Sequence, residues 1–112
     1  MAKTIYKYQL GFDGEIVNIK GHISKFLDIK FQPGQGMMIW AEVDEEKCKE
    51  IEIPVVAIGT GWIIPDEMKL WSYVGTGVDG MGYVWHYYAP PFTNYPEIDL
   101  GNLFGELLGG NK

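Results

Sequence analysis

Short runs of alternating hydrophobic and polar residues follow one another through the first 89 residues, separated by turns that contain glycine or proline. Alternation with a period of two places successive side chains on opposite faces of a strand. The predicted strands cover residues 3–10, 15–20, 26–32, 37–44, 49–58, 70–76 and 83–88. Turns about every 8 to 12 residues are typical of a sandwich or barrel. The pattern predicts a mainly β fold, a small antiparallel β-sandwich or barrel of about seven strands.

The turn residues also predict which strands pair. Gly11-Phe12-Asp13-Gly14 has the composition of a hairpin turn, so the first two strands should be antiparallel neighbours. The acidic turn at residues 44–47 predicts that the fourth and fifth strands pair as well. Pro54 lacks a backbone N–H and requires an edge position or a bulge. Residues 65–67 predict a turn or a single helical turn.

Strict alternation in the third strand, residues 26–32, predicts two distinct faces. One face would carry Phe26, Asp28 and Lys30. The other would carry Leu27, Ile29 and Phe31. The last strand divides in the same way, with Val84, His86 and Tyr88 on one face and Trp85 and Tyr87 on the other.

The composition changes after Ala89, so the β domain is predicted to span residues 1–89. Residues 90–98 are rich in proline and predict an extended spacer, because each proline fixes one backbone dihedral angle. Residues 99–110 predict a short amphipathic helix with Leu100, Leu103, Phe104, Leu107 and Leu108 on one face. A helix this short needs a surface to pack on. Its own domain and a neighbouring copy are both open, and the second alternative predicts a homo-oligomer.

The 112-residue chain has a formal net charge of −6, and all of its cationic side chains are lysines. Nucleic-acid binders present a basic face and use arginine to contact phosphates and bases, so direct nucleic-acid binding is disfavoured. Acidic residues concentrate in residues 42–52. This segment is interpreted as a solvated turn or as a surface for a basic partner. The candidate partner-binding residues are Glu45, Glu46 and Glu50, together with Leu103, Phe104 and Leu107 of the predicted helix.

Cys48 is the single cysteine, so no intramolecular disulfide can form, and a reducing compartment is expected. No secretory leader opens the chain and no apolar run approaches membrane-spanning length, so no membrane association is expected. His22, His86 and Cys48 do not have the spacing of a metal site. No nucleophile signature surrounds Ser24 or Ser72. We therefore expect neither a metal, nor another cofactor, nor catalysis.

A short motif occurs twice, 16 residues apart, as Gly59-Thr60-Gly61 and Gly75-Thr76-Gly77. Each copy directly follows an apolar strand. Such turns can present backbone N–H groups and a hydroxyl to a ligand, or they can simply permit a bulge or a tight turn. If the two copies lie side by side or meet across a subunit boundary, they would form a pocket with aromatic walls from Trp62, Tyr73 and Trp85. His86 is interpreted as a structural histidine or as one that contacts the ligand. The candidate ligand-binding residues are Thr60, Trp62, Tyr73, Thr76, Trp85 and His86.

The motifs at residues 4–8 (TIYKY), 59–61 (GTG), 64–66 (IPD), 73–76 (YVGT) and 84–86 (VWH) resemble a family of small, mostly uncharacterised proteins of bacteriophages and prophage regions. The resemblance spans residues 1–88 and implies a phage protein that acts in the host cytoplasm. The leading hypothesis is a non-enzymatic binding protein that counteracts a host defence by sequestering a small nucleotide-type ligand. One alternative is an acidic inhibitor of a host defence protein that handles nucleic acid. A second is a virion accessory protein.

Overall fold

Two antiparallel sheets face each other in the computed structural model, which describes residues 3–94. The strands are β1 (Thr4–Gln9), β2 (Ile16–Gly21), β3 (Ile23–Gln32), β4 (Gly36–Val43), β5 (Ile51–Gly59), β6 (Ser72–Val78) and β7 (Val84–Ala89). The first sheet has the strand order β1-β4-β3, and the second has the order β2-β5-β7-β6. The predicted mainly β, seven-stranded antiparallel fold is confirmed, and the two sheets make it a sandwich.

Two predicted hairpins are wrong, because the connections cross from one sheet to the other. β1 pairs with β4 rather than with β2. β2 pairs with β5, so β4 and β5 are not neighbours either. Each crossing connection buries an apolar residue, Leu10 in the first and Cys48 in the second. Turn residues alone could not show this, because they fix a change of direction and not the sheet in which the chain continues.

The core lies between the sheets and is formed by the inward side chains of every second strand position. Its fully buried members include Ile39 and Ala41 of β4, Ala57 of β5 and Tyr87 of β7. The hydroxyl of Tyr87 donates a 2.6 Å hydrogen bond to the carbonyl oxygen of Gly11. A buried polar group needs such a partner, so this bond fixes the β1–β2 connection against the core.

A bulge in β3 overturns the predicted alternation of that strand. The register with β4 shifts between Phe26 and Asp28. Leu27 is the additional residue and is 43% exposed, whereas Phe26 packs against the core together with Ile29. A bulge places two residues opposite one and reverses the faces that follow it. The period-two reading therefore placed Phe26 on the wrong face.

Pro54 occupies the kind of position that its missing donor requires. It lies opposite Asn18 of β2, on one side of β5. On the other side of β5, pairing with β7 begins only at Val56. Pro54 therefore lies in a section of β5 that has one strand neighbour, although β5 is an interior strand of its sheet.

A short segment covers part of the outer face of the second sheet. It contains a 3-10 helix at Asp66–Met68, as predicted for residues 65–67. Met68 is buried against Val56 and Ile58 of β5, with Trp71 and Tyr88 packed around them. This second, smaller cluster leaves the rest of that outer face open.

Residues 90–94, the first part of the predicted spacer, lie against the sandwich. The ring of Phe92 meets Phe26 edge-on, with 5.6 Å between the ring centroids. Asn94 is 1% exposed, and its Nδ2 donates a 2.6 Å hydrogen bond to the carbonyl oxygen of Ile23. The predicted helix at residues 99–110, with Leu103, Phe104 and Leu107, lies outside the described residues.

Candidate functional site

The two Gly-Thr-Gly motifs lie on either side of β7 and meet at His86. Thr60 follows the end of β5, and its Oγ1 is 2.8 Å from His86 Nε2. Thr76 lies directly opposite His86 in the β6–β7 pair, and its Oγ1 is 3.0 Å from His86 Nδ1. Both ring nitrogens of one histidine are thus engaged by the threonines of the repeated motif. The structure brings together what the sequence only placed 16 residues apart.

Tyr73 extends this arrangement by one more hydroxyl. Its Oη is 2.5 Å from Thr76 Oγ1. The side chain is 57% exposed, and its ring meets Tyr88 edge-on at a centroid distance of 5.8 Å. Thr60, His86, Thr76 and Tyr73 therefore form one hydrogen-bonded chain on the open outer face of the second sheet. We refer to these four residues as the His86 site.

The direction of the hydrogen bonds in the His86 site follows from the tautomer of the imidazole. A neutral histidine has one N–H and one lone pair. If Nε2 donates to Thr60, then Thr76 donates to Nδ1 and Tyr73 donates to Thr76. In the other tautomer the two hydrogen bonds of His86 reverse, and Thr76 can then donate to Tyr73. With all the bonds aligned in one direction, one end of the chain offers a free hydroxyl hydrogen and the other end offers a free lone pair.

Three of the four glycines in the motifs have a packing role, and the fourth, Gly61, has a φ of +89° that favours glycine. β6 approaches the first sheet so closely that a Cβ on Gly77 would lie 2.5 Å from Met37 Sδ, and one on Gly75 would lie 2.9 Å from Ile29 Cδ1. A Cβ on Gly59 would lie 2.7 Å from the ring of Trp62. Real Cβ atoms do not tolerate such distances. The glycines therefore admit the close approach, and the threonines between them point to the opposite face.

Trp62 and Trp85 do not join the His86 site. Trp85 faces inward from β7 and is 9% exposed, so it lies on the face opposite His86. Trp62 packs edge-on against it, with 5.6 Å between the ring centroids. Of the six candidate ligand-binding residues, four converge. Trp85 belongs to the sandwich core instead, and Trp62, which is 45% exposed, packs against Trp85. The alternation of β7 already separates Trp85 from His86.

Tyr88 is the residue that the sequence reasoning left out of the site. It shares the outer face of β7 with His86, and its ring packs beside Tyr73. Its signal was present in the alternation of β7, which places Tyr88 two residues from His86 and on the same face.

The acidic residues lie on the turn that connects β4 of the first sheet to β5 of the second. None of them belongs to the His86 site. Asp44 is 3% exposed, and its Oδ1 accepts hydrogen bonds from the backbone N–H groups of Glu46 and Lys47, each at 3.1 Å. Glu45, Glu46 and Glu50 are exposed. Within the described part of the chain, no group of three or more His, Cys, Asp or Glu side chains is arranged to hold a metal ion. Across residues 3–94, no helix is long and apolar enough to span a membrane.

Comparison with known proteins places the chain in one family. Residues 1–96, most of the chain, match the family model described as Domain of unknown function (DUF7352). No curated protein gives a match. No solved structure gives one. The chain therefore belongs to the family described as Domain of unknown function (DUF7352).

Proposed function

We propose that this protein binds a small nucleotide-type ligand at the His86 site without transforming it. The observation that carries the proposal is the convergence of both repeated threonines on the two ring nitrogens of His86, at 2.8 and 3.0 Å. Packing accounts for three of the glycines and a positive φ for Gly61, but neither requires a threonine between the glycines in both copies. The hydroxyls face solvent on an open part of the sheet, where they are available to a ligand.

The chemistry of the His86 site suits a ligand with both donors and acceptors beside a flat ring. The hydrogen-bonded chain offers one free hydrogen and one free lone pair at its two ends. Tyr73, exposed over more than half of its surface, offers an aromatic face for stacking. A nucleoside has the matching parts, which are a planar base and sugar hydroxyls.

The net charge of the protein restricts which nucleotides we expect it to bind. The protein carries a net charge of −6 and has no arginine with which to hold phosphates in a bidentate way. A polyanion would be repelled by this field. We therefore infer a ligand with one phosphate charge or a cyclic phosphodiester in preference to a triphosphate.

Binding rather than catalysis is supported by the contacts of the imidazole. A histidine that acts as a general base forms an imidazolium, which a carboxylate beside the second nitrogen stabilises. Both nitrogens of His86 contact neutral hydroxyls instead. The bacteriophage resemblance adds a biological setting, in which a homo-oligomer in the host cytoplasm would sequester a signalling nucleotide of a host defence system.

The test is a titration of the full chain with adenosine monophosphate, cyclic AMP and ATP. Binding is monitored through the NMR signals of the His86 and Tyr73 rings. We expect both rings to shift with the first two ligands and less with ATP. Thr76→Val removes the hydroxyl that connects the rings of His86 and Tyr73, so neither ring is held in its place for the ligand. Binding should weaken about tenfold, which corresponds to about 1.4 kcal/mol. Thr4→Val, on exposed β1, is the matched control. Unchanged binding by the Thr76 variant, or no shift of the ring signals at millimolar ligand, would contradict ligand binding at the His86 site.

One alternative function also has an observation in its favour. The Asp44 hydrogen bonds hold the acidic turn in a defined shape that presents Glu45 and Glu46 to solvent. A rigid acidic surface suits a decoy for a basic host protein, and such binding would weaken steeply as salt is raised.

A further inference from the structure

A cavity of about 390 Å³ is lined by residues of β1 and β2, which are edge strands of the two sheets. Its lining includes two tyrosines, a histidine, a lysine and two of the acidic residues, namely Tyr6, Tyr8, His22, Lys20, Glu45 and Glu50. We call it the β1–β2 cavity. None of these residues belongs to the His86 site, and the inference drawn from them does not rest on nucleotide binding.

The tyrosines form an aromatic wall of the β1–β2 cavity. Their ring centroids are 6.5 Å apart, and the rings are tilted by 53°. Gly21 makes room for this wall, because a Cβ at that position would lie 2.7 Å from Tyr8 Oη. Burial, and after it the neighbouring Tyr6, raises the pKa of Tyr8 above its ordinary value of 10. A neutral phenol ring presents a negative face that attracts cations.

His22 contributes an acceptor whose tautomer is fixed. Its Nδ1 is 2.7 Å from the carbonyl oxygen of Cys48. A carbonyl oxygen can only accept, so in the neutral ring Nδ1 carries the proton and Nε2 carries the lone pair. No hydrogen bond engages Nε2 within residues 3–94. The neutral form of His22, a residue that lines the cavity, therefore keeps an acceptor at Nε2.

The charges of the lining favour a cation. Glu45 and Glu50 supply two carboxylates, and Oε2 of Glu45 is 3.4 Å from the hydroxyl of Tyr6. Lys20 is the one cationic side chain among the lining residues, and it lies directly opposite Glu52 in the β2–β5 pair. The cavity thus combines two carboxylates, an imidazole lone pair and two aromatic rings.

We propose that the β1–β2 cavity binds a guanidinium group. Guanidinium is planar and weakly hydrated, presents five N–H donors, stacks on aromatic rings and pairs with carboxylates in a fork. An ammonium group has three donors and a tighter hydration shell, so it matches this lining less well. The chain itself contains no arginine. The guanidinium must therefore come from another kind of molecule, either a free small molecule or an arginine side chain of a different protein.

The test is calorimetric titration of the full chain with ethylguanidinium, and with ethylammonium for comparison. We expect ethylguanidinium to bind more tightly, and Glu50→Gln and Glu45→Gln each to weaken it about tenfold, because a hydrogen bond to a charged group contributes about 1.5 to 3 kcal/mol. Glu67→Gln, on the exposed 3-10 helix outside the cavity, makes the same change in net charge and should leave binding unchanged. Equal losses in all three variants would show general charge attraction and overturn the site.

A second measurement does not depend on the variants. The ¹⁵N signal of His22 Nε2 in the wild-type protein should shift on saturation with ethylguanidinium, while the signals of His86 stay in place. No shift at His22, or equal binding of ethylammonium, would overturn the proposal. A short arginine-containing peptide then separates the sources. Tighter binding than ethylguanidinium assigns the site to a protein partner, and equal binding assigns it to a small molecule.

Discussion

Asp79 holds together the hairpin that carries part of the His86 site, although it does not belong to that site. Its carboxylate accepts hydrogen bonds from Trp85 Nε1 at 2.9 Å and from the backbone N–H groups of Met81 and Tyr83 at 2.9 and 3.0 Å. These bonds close the β6–β7 hairpin, whose two strands carry Thr76 and His86. The hydrogen bond from Trp85, followed by those from the backbone, lowers the pKa of Asp79 below its ordinary value of 3.8.

Replacing Asp79 should change how stability depends on acidity. A carboxyl group with a lowered folded-state pKa stabilises the fold above its unfolded pKa, and this stabilisation disappears as pH falls through the folded value. The wild-type protein should therefore lose stability below about pH 4, and Asp79→Asn should lose less over the same interval. Thermal unfolding at pH 7 and pH 3 measures the difference in Tm.

Two comparisons make the Asp79 experiment specific. Asp66→Asn, on the exposed 3-10 helix, should keep the wild-type dependence. Some acid sensitivity should also persist in Asp79→Asn, because a hydrogen bond from Ser24 lowers the pKa of Glu42. The same fall in Tm for Asp79→Asn and the wild type would show that the Asp79 carboxylate does not stabilise the hairpin.

Among the structural elements, the segment between β5 and β6 determines which part of the outer face of the second sheet is exposed to solvent. Met68 of the 3-10 helix is 7% exposed and packs on Val56 and Ile58. The His86 site lies on the same outer face, next to this covered part. The segment that contains Met68 therefore forms one boundary of the His86 site, but none of its side chains takes part in the hydrogen bonds of that site.

Met68→Ala should destabilise the protein by about 2 kcal/mol, the lower end for truncating a buried methionine, because the cluster it fills is small. Leu70→Ala is the matched control, since Leu70 is 85% exposed and its truncation should cost less than about 0.5 kcal/mol. Urea unfolding of both variants measures the two values. Equal midpoints for the variants would mean that the 3-10 helix does not cover the sheet in solution.

The elements also show where sequence reasoning succeeded. Alternation identified all seven strands and the faces of β7, because a period of two depends only on local geometry. It failed at β3, where one extra residue at Leu27 reverses the pattern. The turn residues failed to predict the partners of β1 and β4, because pairing between distant strands depends on how the two sheets close over the core. The repeated Gly-Thr-Gly motif predicted a shared site, but the sequence could not show that His86 lies between its copies.

On the scale of the whole molecule, the two proposed binding surfaces are separate and differ in the charge of the ligand that suits them. The His86 site offers neutral hydroxyls and an imidazole, whereas the β1–β2 cavity combines carboxylates with aromatic rings. The net charge of −6 favours cationic partners at the cavity and limits the negative charge of any ligand at the His86 site.

We propose further that residues 99–110 mediate self-association, so deletion of residues 96–112 should lower the oligomeric mass.

Native mass spectrometry of the full chain, purified from cells and desolvated gently, tests the proposed ligand binding most directly. We expect a reproducible small adduct of nucleotide mass on the wild-type protein. The Thr60→Val/Thr76→Val variant should lose it, while Thr4→Val and Glu50→Gln should keep it, because neither residue belongs to the His86 site. A wild-type chain without an adduct, or an adduct that persists in the double variant, would contradict the assignment of a ligand to His86 and its two threonines.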